Sequence, residues 1–360
     1  MHITEMRVTP IAISDPPLLN AAGLHAPYAL RTIIELITDD GISGVGEVPG
    51  SIETTEALNA ARAVVIGADP FHLNAIEASL GATFGQEQEQ RGRQPWDKRR
   101  MVHVLSAIEV ACFDIMGKAT GRPVCDLLGG RARDIVPFSA YLFYKLGGAG
   151  GALGFDVDET ATGWAAARQA QALTPDEVVA QAQAMCAEYG FQSIKLKGGA
   201  MPPAEEVDAM LALREAFGPD VPLRLDPNAI WRVETAIEMG RRLEGVLEYY
   251  EDPVRGQEAM AEVGAALKMP MATNMCTTSF EDIPGSVALG SEEIILSDHH
   301  FWGGLRATLE LARICRTFDR GLSMHSNSHM GISLMAMTHL AAAIPNLTNA
   351  CDTHDPWQYE

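Results

Sequence analysis

Six polar residues recur at nearly even intervals through the second half of this 360-residue chain. Successive members are 29, 25, 23, 24 and 27 residues apart, and each follows a short apolar run that predicts a buried strand. All six are types that bind metal ions or transfer protons. In order, they are Lys197, Asp226, Glu251, Asn274, Asp298 and His325.

Three of these residues predict a magnesium site. Asp226, Glu251 and Asn274 end consecutive strands, and neighbouring strands lie about 4.8 Å apart, so their oxygens can converge on one ion. A set of oxygen donors without Cys or His favours Mg²⁺ over zinc. Asp252, which follows Glu251 directly, is a rival second ligand.

The other residues predict groups that move protons. Lys195 and Lys197 are two residues apart on one strand, so both face the same way, and neighbouring ammonium groups lower each other's pKa. Asp298 and His325 end adjacent strands and could form a dyad in which the carboxylate orients the imidazole. The pattern indicates abstraction of a proton next to a carboxylate, with Mg²⁺ stabilising the enediolate.

The intervals also predict the fold that positions these groups. Each interval holds one strand, one helix and two short loops, the unit of a parallel sheet with right-handed crossovers. Seven apolar runs after residue 192, the last at 348–352, and one at 136–141 make eight strands. We expect an α/β protein with a modified (β/α)8 TIM barrel, whose strand ends share one mouth. A doubly wound open sheet is the alternative.

The N-terminal part has a different pattern. A β-rich run at 32–38, a turn at 39–41 and a return strand at 44–47 predict a hairpin, and helical patterns follow at 54–66 and 104–117. The Gly- and Gln-rich stretch at 81–95 predicts a loop. We expect an α+β capping domain over residues 1–133 and the barrel over residues 134–360.

Several motifs together resemble the glucarate dehydratase-like subgroup of the enolase superfamily, which is of the mandelate racemase/muconate lactonizing enzyme type. In the barrel they are SIKLKGG, LRLDPNAIW, YYEDP, ATNM, LSDHHFW and MHSNSH, and in the cap LHAPY, GVGEVPG and AIEVACFDIMGKATGRPVCDLLGG. The resemblance covers nearly the whole chain. It implies a Mg²⁺-dependent hydro-lyase that converts an acid sugar such as D-glucarate to 5-dehydro-4-deoxy-D-glucarate and water.

The same resemblance implies a role for each matching residue. Lys197 is the base for one substrate configuration, and Lys195 helps to bind the substrate carboxylate. His325, oriented by Asp298, is the opposite base and the acid that expels hydroxide. The implied substrate contacts are His25, Tyr141, Asn228, Ser326 and Asn327.

A basic cluster departs from the pattern of the family. Most of it is interpreted as a solvated loop, with a lid that grips a distal carboxylate through bidentate arginine pairing as the alternative. Its members are Arg91, Arg93, Lys98, Arg99 and Arg100. The substrate could therefore be galactarate or another acid sugar, and an epimerase or an inactive dehydratase-related subunit are further alternatives.

Composition limits the classes of partner. The chain has 27 Lys and Arg against 47 Asp and Glu, a net charge of −20, which argues against nucleic acid and anionic membranes as partners. No signal peptide is visible, and the six cysteines contain no C-x-x-C pair. We expect a cytoplasmic homo-oligomer whose partner is a small acid-sugar substrate.

Overall fold

The N-terminal part of the molecule is an antiparallel sheet covered by helices. The structure, a computed structural model, describes residues 1–25, 27–85 and 99–358. Three strands pair in the order β1-β4-β5. The elements are β1 (Ile3–Ser14), β2 (Leu19–Asn20), β3 (Gly23–Leu24), β4 (Tyr28–Thr38), β5 (Ser43–Pro49), α1 (Ile52–Val65), α2 (Leu73–Phe84), α3 (Arg100–Thr120) and α4 (Val124–Leu127).

The predicted hairpin is formed by β4 and β5. Gly41 supplies the left-handed turn with a φ of 77°. Gly46 lets β5 lie directly on α3, because a Cβ atom there would be 2.1 Å from the carbonyl oxygen of Ala107. The loop predicted at 81–95 is wrong at its start: buried Ile76 and Leu80 extend α2 as far as Phe84. Residues 86–95 lie outside the described ranges.

The second part is a curled parallel sheet. Its seven strands follow one another in space in the order of the chain, β6 to β12. Its elements are β6 (Ala140–Phe143), α5 (Gly163–Gln169), α6 (Pro175–Tyr189), β7 (Ile194–Lys197), α7 (Pro203–Phe217), β8 (Leu223–Asp226), α8 (Val233–Leu243), β9 (Tyr249–Glu251), α9 (Gln257–Ala266), β10 (Met271–Thr273), α10 (Ile283–Leu289), β11 (Ile294–Ser297), α11 (His299–Trp302), α12 (Leu305–Thr317), β12 (Gly321–Met324) and α13 (Gly331–Ala343). A capping box formed by Thr174 and Glu177 begins α6.

The barrel is closed by a segment that is not a regular strand. We predicted an eighth strand at 348–352, but this segment makes only an isolated bridge, from Cys351 to Phe138. The Cys351 amide donates to the Pro137 carbonyl at 2.9 Å, and the Thr348 amide donates to the Leu322 carbonyl at 3.0 Å. The segment therefore joins β12 to the residues before β6, which makes the fold a modified TIM barrel.

The cap and the barrel share a hydrophobic core. One buried cluster joins Ile34 and Val104 of the cap to Leu311 and Met337 of the barrel helices. This packing fixes the cap against the last third of the barrel, so cap residues can contribute to the mouth. Within the described part of the chain, no helix is long and apolar enough to cross a membrane.

Candidate active site

One cavity at the carboxyl ends of the barrel strands collects most of the predicted site residues. Lys197 and His325 lie on opposite sides of the predicted ligand strands, and both line this cavity. The other lining residues are Asn20, His25, Tyr141, Phe143, Asn228, Asn274, Ser326, Asn327 and His354. All five predicted substrate contacts are therefore brought together, and His25 comes from the cap.

Lys197 is held by the end of the next strand. The parallel register of β7 and β8 places it beside Asp226, and its Nζ donates to Asp226 Oδ2 at 2.5 Å and to Asn228 Oδ1 at 2.9 Å. The Asn228 backbone is left-handed, with a φ of 64°. Burial opposes ionisation of Asp226, but the ammonium groups of Lys197 and Lys195 hold the pKa of this carboxyl below its usual range.

Lys195 lies deeper than Lys197, among carboxylates. Its Nζ donates to Glu251 Oε1 and to Asp352 Oδ2, both at 2.7 Å, and is 3.8 Å from Asp226 Oδ2. The ammonium also lies 4.8 Å from the centre of the Tyr141 ring. Burial disfavours the charge, but Asp352 and Glu251 raise the pKa of Lys195 well above its usual value. The expected lowering of the Lys195 pKa is thus wrong, because two buried carboxylates outweigh the second lysine.

The three predicted metal ligands lie side by side. Asp226 and Glu251 are the last residues of β8 and β9, Asn274 directly follows β10, and Asn274 Nδ2 donates to Glu251 Oε1 at 3.1 Å. The Lys195 ammonium contacts Glu251 and approaches Asp226, so their oxygens lie within reach of a single cation. A buried site with two carboxylates and an amide, and oxygen as the donor in each, fits Mg²⁺.

Asp252, the rival ligand, is committed elsewhere. Its Oδ2 accepts the Asn274 amide at 2.7 Å, and its Oδ1 accepts the Thr273 hydroxyl. Burial raises the pKa of Asp252 to about 6. Both oxygens of Asp252 thus face the end of β10, whereas Glu251 faces Lys195 and Asn274, so Glu251 stays the candidate for the second ligand.

Asp298 and His325 form the expected pair. His325 Nδ1 is 3.3 Å from Asp298 Oδ2, and the imidazole stacks on Phe301. Burial opposes ionisation of Asp298, but His329 and His325 hold its pKa well below the usual range. Burial also lowers the pKa of His325, against the opposing effect of Asp298. The imidazole is therefore neutral at pH 7, with Nδ1 turned to the carboxylate.

Several residues of the site were missed in the sequence, among them two histidines and one aspartate. Asp352 contacts Lys195, His354 lines the cavity, and His329 Nε2 lies 3.1 Å from Asp298 Oδ2. Asp352 ends the run at 348–352, so the strand-end rule used for the other six residues would have found it. The sequence carries no comparable signal for His329.

A second group of donors lies behind His325. Its ligand atoms are within 4.8 Å of one another, and its members are Asp298, His299, His300 and His329. His300 is already engaged in hydrogen bonds. Its Nδ1 lies 3.3 Å from the Ser106 hydroxyl, and its Nε2 lies 2.8 Å from the Ser333 hydroxyl. Imidazole nitrogens suit transition metals better than Mg²⁺, so Asp226, Glu251 and Asn274 remain the magnesium candidates.

The basic cluster is only partly within the described residues, since 91–98 fall outside them. Arg99 is buried, and its guanidinium donates to the carbonyls of Thr278 at 3.0 Å and Phe301 at 2.8 Å. The interpretation as a solvated loop is therefore wrong for Arg99, which ties the start of α3 to the barrel.

Comparison with known proteins identifies two matching family models. The mandelate racemase/muconate lactonizing enzyme N-terminal domain matches residues 17–129, and the enolase C-terminal domain-like family matches residues 177–360. A probable glucarate dehydratase of Streptomyces coelicolor is 49% identical over 369 residues, covering 100% of this chain and 83% of the relative. An L-talarate/galactarate dehydratase of Salmonella typhimurium is 27% identical, covering 92% and 75%.

Solved structures give the same result. An enolase from Thermobispora bispora, complexed with magnesium and formate, has a TM-score of 0.91 and 51% identity over 99% of this chain and 83% of its own. An enolase from Mycobacterium smegmatis, complexed with tartrate, has a TM-score of 0.89 and 52% identity over 100% and 82%. With both domain models matched and these relatives spanning the chain, the protein belongs to the enolase superfamily.

Proposed function

We propose that the protein is a Mg²⁺-dependent acid-sugar dehydratase that converts D-glucarate to 5-dehydro-4-deoxy-D-glucarate and water. The observation that carries the proposal is the placement of two proton-transfer groups, Lys197 and His325, around one cavity that Asn274 also lines. The 49% identity to a probable glucarate dehydratase supports the choice of substrate.

Positive charge at the reacting carboxylate comes from two sources in this proposal. Asp226, Glu251 and Asn274 would hold Mg²⁺, which when bound stabilises the negative charge that develops on the carboxylate oxygens as the neighbouring carbon loses its proton. Lys195 stays charged beside Glu251 and Asp352, so it adds a fixed positive charge for the same carboxylate.

The proton is taken by a different base for each substrate configuration. Lys197 serves one configuration and must first lose a proton, for which its bonds to Asp226 and Asn228 rearrange. His325 serves the other, because Asp298 holds Nδ1 and leaves Nε2 to accept the proton. The proton that His325 has taken then passes to the hydroxyl on the adjacent carbon, which leaves as water, and the enol becomes the 2-keto acid. When Lys197 is the base, His325 must first gain a proton from solvent at Nε2 before it can protonate that hydroxyl.

Several polar groups in the cavity are suited to substrate hydroxyls. Asn228 Nδ2 and Ser326 Oγ are buried and have no hydrogen-bond partner among the described residues. Unpaired buried donors are costly, and a polar ligand relieves that cost. Together with His25, Tyr141 and Asn327 they would bind the acid sugar along its chain.

A substrate panel in D₂O tests the proposal. D-glucarate, galactarate and further aldarates and aldonates are incubated with the protein and Mg²⁺, and NMR follows deuterium next to the carboxylate and formation of the 2-keto acid. We expect both with D-glucarate. Product from galactarate alone would show that galactarate is the substrate in place of D-glucarate. Formation of an epimer without keto acid would indicate an epimerase. No exchange and no product across the panel would reject the dehydratase.

A further inference from the structure

A buried ion pair of the cap lies behind the cavity. Arg31 of β4 and Glu47 of β5 are 1% and 0% exposed, and Arg31 Nε donates to Glu47 Oε1 at 2.8 Å. Two charges removed from water need further hydrogen bonds to offset the cost of their desolvation. The partners that supply these bonds lie outside the cap.

Most of those partners are backbone groups of residues 327–333, which lead from β12 into the first turn of α13. Arg31 Nη1 donates to the Asn327 carbonyl at 2.9 Å. The two oxygens of Glu47 accept the amides of Met330 and Ser333, each at 2.9 Å. Hydrogen bonds to ionised groups are roughly twice as strong as neutral ones. The cap pair therefore fastens three points of one barrel segment.

The fastened segment carries the side chains that face the substrate. His325, Ser326 and Asn327 all belong to it and line the cavity. Ser328 has a left-handed backbone with a φ of 48°, a conformation that persists only when its surroundings hold it. His329 adds another attachment, through its contact with Asp298.

Lys197 has no such dependence. It is the last residue of β7, and its recorded hydrogen bonds go to Asp226 and Asn228, both in the barrel. His325 is held within the barrel by Asp298 and by its amide, which donates to the Ser297 carbonyl at 2.6 Å, but the segment that follows it is bonded to the cap. Both partners of Lys197 lie in the barrel, and the two bases therefore differ in their connection to the cap.

We propose that Arg31 and Glu47 are positioning residues for His325, so that the cap controls proton transfer on one side of the substrate only. The proposal rests on the proposed function for its kinetic part. Loss of the pair should slow proton abstraction by His325 and leave abstraction by Lys197 nearly unchanged.

The test compares α-proton exchange in D₂O for D-glucarate and its C5 epimer, L-idarate. Lys197→Met and His325→Asn first establish which base each epimer uses. Arg31→Met and Glu47→Gln should then lower the exchange rate at saturating substrate about 10- to 100-fold for the His325-dependent epimer, the scale of a 1 Å misplacement. The other epimer should change less than about twofold, and Arg31→Lys should recover part of the loss, because it can still donate to Glu47.

Arg320 provides a matched control. It forms a similarly buried pair with Glu292 at 2.9 Å, just before β12, and makes no recorded bond to the segment after that strand. Arg320→Met should lower stability without changing the ratio of the two exchange rates. Equal losses for both epimers in Arg31→Met and Glu47→Gln, or no loss in either, would overturn the proposal.

A second measurement does not require activity. The proton between His325 Nδ1 and Asp298 should give a downfield NMR signal, which His325→Asn identifies. We expect the signal to broaden or disappear in folded Glu47→Gln and Arg31→Met and to persist in Arg320→Met. If no acid sugar reacts, the proposed function fails, but the signal still tests whether Arg31 and Glu47 position His325. Persistence of the signal in all the cap variants would contradict that role.

Discussion

Lys195 is a charged side chain with no exposed surface. Its ammonium contacts Glu251 and Asp352, and Asp226 lies 3.8 Å away. Removing one partner of a buried pair leaves an uncompensated charge and costs about 3–5 kcal/mol. These residues therefore act as a unit, and the effect of replacing any one of them includes the response of the rest.

Replacing Asn274 tests the magnesium assignment without removing a charge from this unit. Asn274→Ala removes one neutral oxygen donor, and we expect Mg²⁺ affinity to fall by at least about tenfold, the lower end of what even outer residues of a metal site contribute. Activity should be lost at ordinary Mg²⁺ concentrations. Calorimetric titration with Mg²⁺ measures the affinity, and turnover of D-glucarate measures the activity.

Asn346→Ala is the control for that variant. Asn346 donates to the Ala312 carbonyl at 2.8 Å in a loop after α13, so its loss should cost about 1 kcal/mol of stability and no Mg²⁺ affinity. Unchanged Mg²⁺ affinity in Asn274→Ala would show that the ligand is another residue.

Among single residues, the sequence best predicts those at the carboxyl ends of strands. Lys197, Asp226 and His325 each end an apolar run, and parallel strands bring such ends to one mouth. Arg31 could not be found in this way, because its role depends on how the cap sits on the barrel. The burial of Lys195 between Glu251 and Asp352 likewise depends on side-chain packing that spacing does not encode.

Among the elements, β5 lies against α3 at a distance that only glycine allows at position 46. Gly46→Ala would place a Cβ atom 2.1 Å from the Ala107 carbonyl oxygen, so the strand and helix must separate. We expect a loss of about 1–3 kcal/mol in the free energy of unfolding, measured with urea. Because Glu47 follows Gly46, the same change should weaken the bonds of the cap to Met330 and Ser333.

Gly81→Ala in α2 is the matched replacement. A Cβ atom there meets nothing within 4 Å, so alanine should stabilise the helix by about 0.5–1 kcal/mol. Similar losses in both variants would contradict the packing argument for Gly46.

The histidines that begin α11 predict a pH effect on stability. Burial, together with His329, lowers the pKa of His299 to about 3, whereas the unfolded chain has a value near 6.5. Below pH 6.5 His299 binds a proton in the unfolded state but stays unprotonated in the folded state. The free energy of unfolding therefore falls as the pH falls. His299→Gln should remove this contribution, about 2 kcal/mol between pH 7.5 and 5.0.

Urea unfolding of both proteins at several pH values measures that contribution. The comparison cancels the other titrating groups, including Asp252, whose raised pKa acts in the opposite direction. Parallel pH dependence in the two proteins would show that His299 is not held neutral by burial.

The order of strands and helices was predictable because each apolar run and each amphipathic pattern is local. The irregular form of the last strand was not predictable. Residues 348–352 hydrogen-bond to the neighbouring segments on both sides but form only one β-bridge. The start of the loop at 81–95 was wrong because buried Leu80 continues α2 past the glycine-rich signal. The domain boundary after residue 133 stays a prediction.

Over the whole molecule, the net charge of −20 opposes the approach of a dianionic acid sugar. Binding in the proposed reaction therefore depends on local positive charge from Lys195, Lys197 and the magnesium ion. The homo-oligomeric state and the cytoplasmic location expected from the sequence stay predictions.

Magnesium binding should also appear as a change in global stability. An ion that binds only the folded state at about 100 times its dissociation constant adds about 2.7 kcal/mol, which raises Tm by several degrees. Thermal unfolding with a chelator and with saturating Mg²⁺ measures the difference. Asn274→Ala should show a smaller shift, and an equal shift in both proteins would place the bound ion elsewhere.

The closing segment at 348–352 gives the barrel a seam. Its Asp352 amide donates to the Met324 carbonyl at 2.8 Å, and on the other side the segment is joined by the single bridge at Cys351. We expect local opening of the barrel to begin along this irregular segment. Such opening would move Asp352 away from Lys195. The buried Lys195 ammonium would then lose one of its carboxylate counter-ions.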